Sequence, residues 1–230
     1  MTESVLDISG LSVAFDTPDG LVEAVKGVSL SISAGECLGV VGESGSGKTQ
    51  TFLAAFGLAA QNARVSGAVS FDGADFLQLK RAEMDSLRGR RVAFVFQDPL
   101  TALTPHLTIE EQMGEVLRQH RGMRGEASRG ISIEWLERVR ISEAAQRLAQ
   151  YPHELSGGMR QRVMIAMAMM CEPALLVRAN SCPEGYPMNP PISEPTNGWP
   201  DMLMLRHIER AIRRWSHEAT LSPVHDAEYL

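Results

Sequence analysis

Gly42-Glu43-Ser44-Gly45-Ser46-Gly47-Lys48-Thr49 is the stretch whose reading decides the fold. It fills the pattern G-x-x-x-x-G-K-[ST] completely, and its surroundings suit that pattern. A short apolar run, Cys37-Leu38-Gly39-Val40-Val41, precedes it, and the helix-compatible run Gln50-Thr51-Phe52-Leu53-Ala54-Ala55-Phe56 follows. Strand, glycine loop and helix in that order make an anion cradle. Gly42, Gly45 and Gly47 let the backbone curl so that successive N–H groups point inward at phosphate oxygens. A helix opening near Lys48 adds its positive end. Lys48 supplies a point charge for the β- and γ-phosphates, the Thr49 hydroxyl is a ligand for Mg²⁺, and Gln50 opens the helix beside them. The eight residues, with Gln50, read as a site for a nucleoside triphosphate.

The bulk properties are compatible with that reading. A chain of 230 residues with 44% hydrophobic and 22% charged residues is an ordinary globular protein of one large domain, or a domain with a subdomain. Its N-terminus lacks the basic and apolar regions of a signal peptide, and no apolar run is long enough to span a bilayer, so a cytoplasmic location is expected. Cys37, Cys171 and Cys182 have no metal-binding spacing, and reduced thiols are expected. A formal net charge of −6 argues against a general nucleic-acid binder.

Upstream, Val5, Leu6, Ile8, Leu11, Val13 and Phe15 and then residues 24–32 read as two strands around the turn Thr17-Pro18-Asp19-Gly20, a β-hairpin layer. Phe15 has two readings, a stacking platform for adenine or a core residue ending an alternating strand. Downstream, 65–71 reads as a strand closed by Asp72-Gly73, and 77–87 as a short helix. Val92-Ala93-Phe94-Val95-Phe96 reads as a buried strand ending at Gln97. A polar residue at the carboxyl end of such a strand lies where open α/β sheets bind ligands, within reach of Mg²⁺ or an attacking water. Between 108 and 150 the periodicity turns helical, with Gly122, Gly125 and Gly130 breaking the first two helices apart. Ser156 then reads as the N-cap of a long helix through Met170, and Gly157 and Gly158 leave its first N–H groups open to an anion.

Taken in order, the glycine loop, Gln97 after an apolar strand, the helical insertion and Leu155-Ser156-Gly157-Gly158 resemble the nucleotide-binding subunit of an ABC transporter. Residues 96–105 and 151–162 resemble its oligopeptide/dipeptide (nickel) importer branch. The resemblance implies an α/β P-loop NTPase core with an N-terminal antiparallel β layer and a helical subdomain at about 100–160. It implies ATP and Mg²⁺ as cofactors, a second nucleotide-binding subunit as a homo- or heterodimer partner, integral membrane permease subunits, and a peripheral place on the cytoplasmic face of the inner membrane. Ser156, Gly157 and Gly158 would then complete the partner's ATP site, and Thr49 and Gln97 would serve the metal.

The family pattern continues after Val177 as Ala-Asp-Glu-Pro-Thr, with a metal-ordering Asp and a general-base Glu. Here Ala179 and Asn180 stand at those two places, and a lost general base costs about 10²–10⁴ in rate. Ser193-Glu194-Pro195-Thr196 offers a displaced version, with Glu194 as base. From Glu194 the interval to His225 suits the family's switch histidine, while from Asn180 it is too long. On that reading residues 1–177 form the nucleotide-binding domain, 178–192 are an atypical Pro-rich insertion or a stretch in the wrong frame, and 193–230 are a degenerate, truncated remainder. Met204–Trp215 is read as an amphipathic helix. Three functions follow: an ATPase energising peptide import, a silent subunit that binds ATP without hydrolysing it, or a soluble ABC ATPase outside transport.

Overall fold

The alternation of apolar and polar residues in the first thirty positions builds a long hairpin. In the computed structural model, which describes residues 4–40, 43, 45–96, 102–178 and 203–207, β1 (Ser4–Thr17) and β2 (Gly20–Ser33) pair antiparallel. Leu6, Ile8, Leu11 and Val13 are fully buried on one face of β1. The register shifts near Leu11, where Gly10 takes φ +60°. The amides this leaves over go to side chains: Gly10 N donates to Ser29 Oγ and Gly27 N to Ser12 Oγ, each at 2.9 Å. After β3 (Cys37–Val40), the helix α1 (Lys48–Ala55) follows, and β4 (Ala63–Phe71) returns to pair antiparallel with β1. With the short β5 (Ala74–Asp75), the first sheet runs in the order β2-β1-β4-β5.

The second sheet holds the site. After α2 (Arg81–Leu87), β6 (Val92–Val95) pairs parallel with β7 (Leu175–Arg178), and the order is β3-β8-β7-β6. Here the structure corrects the sequence reading. Where a helix is expected from Met204, β8 (Leu203–His207) is a strand, antiparallel to both β3 and β7. The backbone edges of β3 and β7 both find partners in it, a long-range demand that outweighs the helical spacing of the local sequence.

β6 and β7 present alternate residues to two layers. Val92, Leu175 and Val177 share a core with Leu6, Ile8, Phe52, Phe56 and Phe71, so α1 is packed against both sheets. At its centre the Phe56 ring meets Phe71, Phe76 and Phe94 edge-on, with centroids 6.0, 5.2 and 5.7 Å away. Val95 and Leu176 face the other way, into a core formed by the remaining helices. These are α3 (Ile109–Arg121), α4 (Gly125–Arg138), the one-turn α5 (Ala144–Arg147) and α6 (Gly157–Met169).

Capping chemistry sets the helix limits. Thr108 and Glu111 close a reciprocal capping box at the start of α3, and the Thr108 N–H and hydroxyl, donating to Glu111 Oε2 at 2.7 and 2.9 Å, hold the Glu111 carboxyl below its ordinary pKa. Gly122 ends α3 in the left-handed conformation at φ +67°. The buried Gln112 accepts from Thr104 N (2.8 Å) and donates to Thr104 O and Leu107 O, pinning the incoming chain to α3. Gly130 does not break the helix as its residue type suggests. It lies inside α4 on the exposed face, while Ser128, Ser132, Trp135 and Leu136 bury the opposite one. Packing of that stripe outweighs the roughly 1 kcal/mol that an interior glycine costs.

Candidate functional site

The glycine loop joins β3 to α1, so it lies at the carboxyl end of a sheet strand and the amino end of a helix. Gly47 caps α1 in the left-handed conformation (φ 87°, ψ 0°), and no side chain accepts from the helix's first N–H groups. Nor does the first turn carry an acidic residue. The positive end of α1 is thus presented to whatever the loop encloses. Gly45 is also left-handed, at φ +81°, with open space where a Cβ would stand. Ser46 N donates to Glu43 O at 3.1 Å, which fixes the curl. Lys48 is half-buried, and its Nζ donates to Glu43 O at 2.6 Å and Ser46 Oγ at 3.1 Å, so the ammonium lies against the loop's own oxygens. Thr49 is exposed and Gln50 half-buried on the first turn.

The loop rests on the hairpin. A Cβ at Gly47 would run into the carbonyl oxygen of Ala24 in β2 and come within 3.3 Å of Val25 Cγ2. Ala24 and Val25 also belong to the small cluster of Val13, Ala54, Ala59 and Ala63 against which Phe15 packs. Phe15 is half-buried there, opposite Val22 on β2 and Ala63 on β4. It therefore serves the hairpin core and keeps an accessible part on the patch that supports the loop.

A hollow beside α1 is lined by Thr49, Phe52, Phe94, Val95, Phe96 and Val177. It brings the first turn of α1 together with the ends of β6 and β7. Phe96, the residue before Gln97, is 46% exposed and stacks on Phe94 at 6.0 Å. The last residue of β7, Arg178, is partly buried, and desolvation draws its guanidinium below its ordinary pKa. Gly42, Ser44, Gln97, Ala179, Asn180, Glu194 and His225 lie outside the described residues.

Ser156, Gly157 and Gly158 form a separate exposed corner at the start of α6. Ser156 Oγ accepts from Met159 N at 3.3 Å, and a Cβ on either glycine would meet nothing within 4 Å. Among the described residues no hydrogen bond links this corner to the glycine loop. Replacing Ser156 with alanine removes the cap, and urea unfolding is expected to show a loss of about 0.5–1 kcal/mol.

The donor set suits a polyphosphate: an uncapped helix start, left-handed glycines, an ammonium and a hydroxyl. Among the described residues no cluster of three His, Cys, Asp or Glu side chains is placed to hold a metal ion. Sequence reading missed the support provided by Ala24, because it acts through a contact distant along the chain.

A glycine loop set between a sheet strand and a helix, on a sheet flanked by an antiparallel layer and a helical layer, defines a nucleotide-binding cassette. The ABC transporter family model matches residues 25–178, more than half of the chain, and the chain belongs to that family. It is 47% identical over 173 residues to the oligopeptide transport ATP-binding protein OppD of Haemophilus influenzae, covering 75% of this chain and 54% of that protein. It is 44% identical over 177 residues to the dipeptide transport ATP-binding protein DppD of Bacillus subtilis, covering 76% and 53%. The chain thus spans about half the length of the curated relatives it matches. Among solved structures it resembles the dimeric post-hydrolysis state of the ATP-binding cassette MJ0796 bound to ADP and Pi, with TM-score 0.67 and 29% identity over 76% of this chain and 73% of that one. These matches bear out the importer-branch resemblance and the cassette fold.

Proposed function

We propose that the chain is the ATP-binding part of a peptide-type ABC importer, residues 1–177 forming its nucleotide-binding domain. The observation that carries this reading is the start of α1. Gly47 leaves the helix N–H groups uncapped, and Lys48 is held within the same curl. The relatives named for oligopeptide and dipeptide transport support the peptide class, and the dimeric relative with ADP and Pi supports ATP as ligand.

In this reading the loop amides, Lys48 and the α1 dipole bind the β- and γ-phosphates, and Phe15 meets the adenine. Thr49 and Gln97 would hold Mg²⁺, which when bound neutralises charge on the phosphates. Ser156, Gly157 and Gly158 reach the ATP of a second nucleotide-binding subunit, an approach suited by the open space around both glycines. Permease subunits supply the membrane passage, with this chain peripheral on the cytoplasmic face. Among the described residues no helix is long and apolar enough to cross a membrane. Glu194 is the proposed base toward water and His225 the γ-phosphate contact.

A second reading is a subunit that binds ATP and does not turn it over. It is favoured by Arg178 at the end of β7, with Ala179 and Asn180 next in sequence where the family has carboxylates. Turnover of MgATP by the purified chain separates the two. On the first reading Glu194→Gln lowers turnover by about 10²–10⁴ and leaves binding in place. Binding that needs Lys48, with no turnover in either protein, establishes the second.

A further inference from the structure

The turn between α2 and β6, residues 88–91, touches both the phosphate-loop helix and the helical layer. The Arg88 side chain is only 19% exposed. Its Nε donates to Phe56 O at 2.9 Å and its Nη2 to Gly57 O at 2.7 Å, while Nη1 donates to Asp85 Oδ1 at 2.7 Å. Phe56 is the C-cap of α1. The guanidinium therefore takes up carbonyls that the end of a helix leaves over, at the negative end of the helix dipole. Gly57 seats it closely. At φ +64°, a Cβ there would lie 2.6 Å from Nη2 and 2.7 Å from Met84 Sδ.

The turn is held from its other side as well. Gly89, at φ +71°, donates its N–H to Val92 O at 2.8 Å, and a Cβ on it would overlap the imidazole of His120 on α3. Phe56 is also the centre of the edge-to-face cluster that reaches Phe94, on which Phe96 stacks beside Thr49. Arg88 thus acts on one end of a helix whose other end is the glycine loop. At about 1.5 Å per residue, the eight residues of α1 make a rod too short to absorb a shift between its ends.

We infer that Arg88 is a positioning residue for the phosphate site. By gripping the carboxyl end of α1 it sets where Gly47, Lys48 and Thr49 are presented at the amino end. The functional consequence rests on the nucleotide reading above, whereas the grip rests on geometry alone. Lysine offers one point charge where the arginine fork satisfies two carbonyls and Asp85 together, so Arg88→Lys keeps the charge and loses the grip.

The test uses the full chain with Arg88→Lys, and with Arg88→Ala as the stronger lesion. Amide hydrogen exchange is read over residues 45–57, and MgATP affinity is measured well below the unfolding temperature. In Arg88→Lys, exchange in α1 is expected to rise about tenfold with β1 and β4 unchanged, and MgATP affinity to fall about tenfold. Exchange in α1 and affinity both equal to those of the parent chain would overturn the inference, even if Arg88→Ala unfolds more easily throughout. If the parent chain itself fails to bind MgATP, the nucleotide reading falls and takes the functional consequence with it. Exchange in α1 then decides the grip by itself.

Discussion

Lys48→Ala is expected to weaken MgATP binding by about 30- to 1,000-fold while leaving the unfolding midpoint nearly unchanged. The size follows from the place of the ammonium. It is half-buried in the curl of the loop, with Glu43 O at 2.6 Å and Ser46 Oγ at 3.1 Å. A triphosphate bound there would exchange these neutral acceptors for anionic ones, turning an ion–dipole contact into an ion pair. Truncating one partner of such a desolvated pair costs about 2–4 kcal/mol, which is the stated range in affinity. The fold is expected to lose little, because the two described Lys48 bonds, to Glu43 O and Ser46 Oγ, stay within one exposed loop. Isothermal titration beside urea unfolding measures both quantities. Affinity unchanged within threefold would mean that the anion is not held at Lys48, and the ATP reading would fail with it.

The parts of this architecture that were legible in the sequence are those that depend on near neighbours. The alternation from Leu6 to Val13 is visible because a strand with one buried face needs it, and the burial follows it. Thr17-Pro18-Asp19-Gly20 and Ser156-Gly157-Gly158 were readable because turns and caps are local bargains between a side chain and the next few amides. Gly122 ended a helix as its type suggests, yet Gly130 did not, since the packing of Trp135 and Leu136 is decided by other helices. Leu203–His207 fills a place between β3 and β7, and no window around Met204 contains those edges. The same blindness hid Arg88, one of four arginines between residues 81 and 91, whose partners Phe56 and Gly57 lie far back in the chain. In the site, the residue types of the glycine loop were legible, whereas the surface on which the loop rests was not.

That surface gives Gly47→Ala a different signature from Lys48→Ala. Two costs fall on one methyl group. At φ +87° alanine is strained by roughly 1–2 kcal/mol in the left-handed region. Its Cβ would also overlap the Ala24 carbonyl oxygen, a backbone atom of β2 that cannot rotate away, and crowd Val25, which is buried. Relieving the overlap means moving the loop off the hairpin or shifting α1, at about 1–3 kcal/mol for an overpacked contact. The sum is a loss of about 2–5 kcal/mol in urea unfolding, together with nucleotide affinity. Gly45→Ala separates the two costs. Its φ is +81°, but a Cβ there meets nothing within 4 Å, so strain alone acts and the loss is expected to stay near 1–2 kcal/mol. Equal losses in the two variants would show that the contact with Ala24 carries no stability. A larger loss at Gly47 makes the hairpin the platform on which the phosphate loop is held.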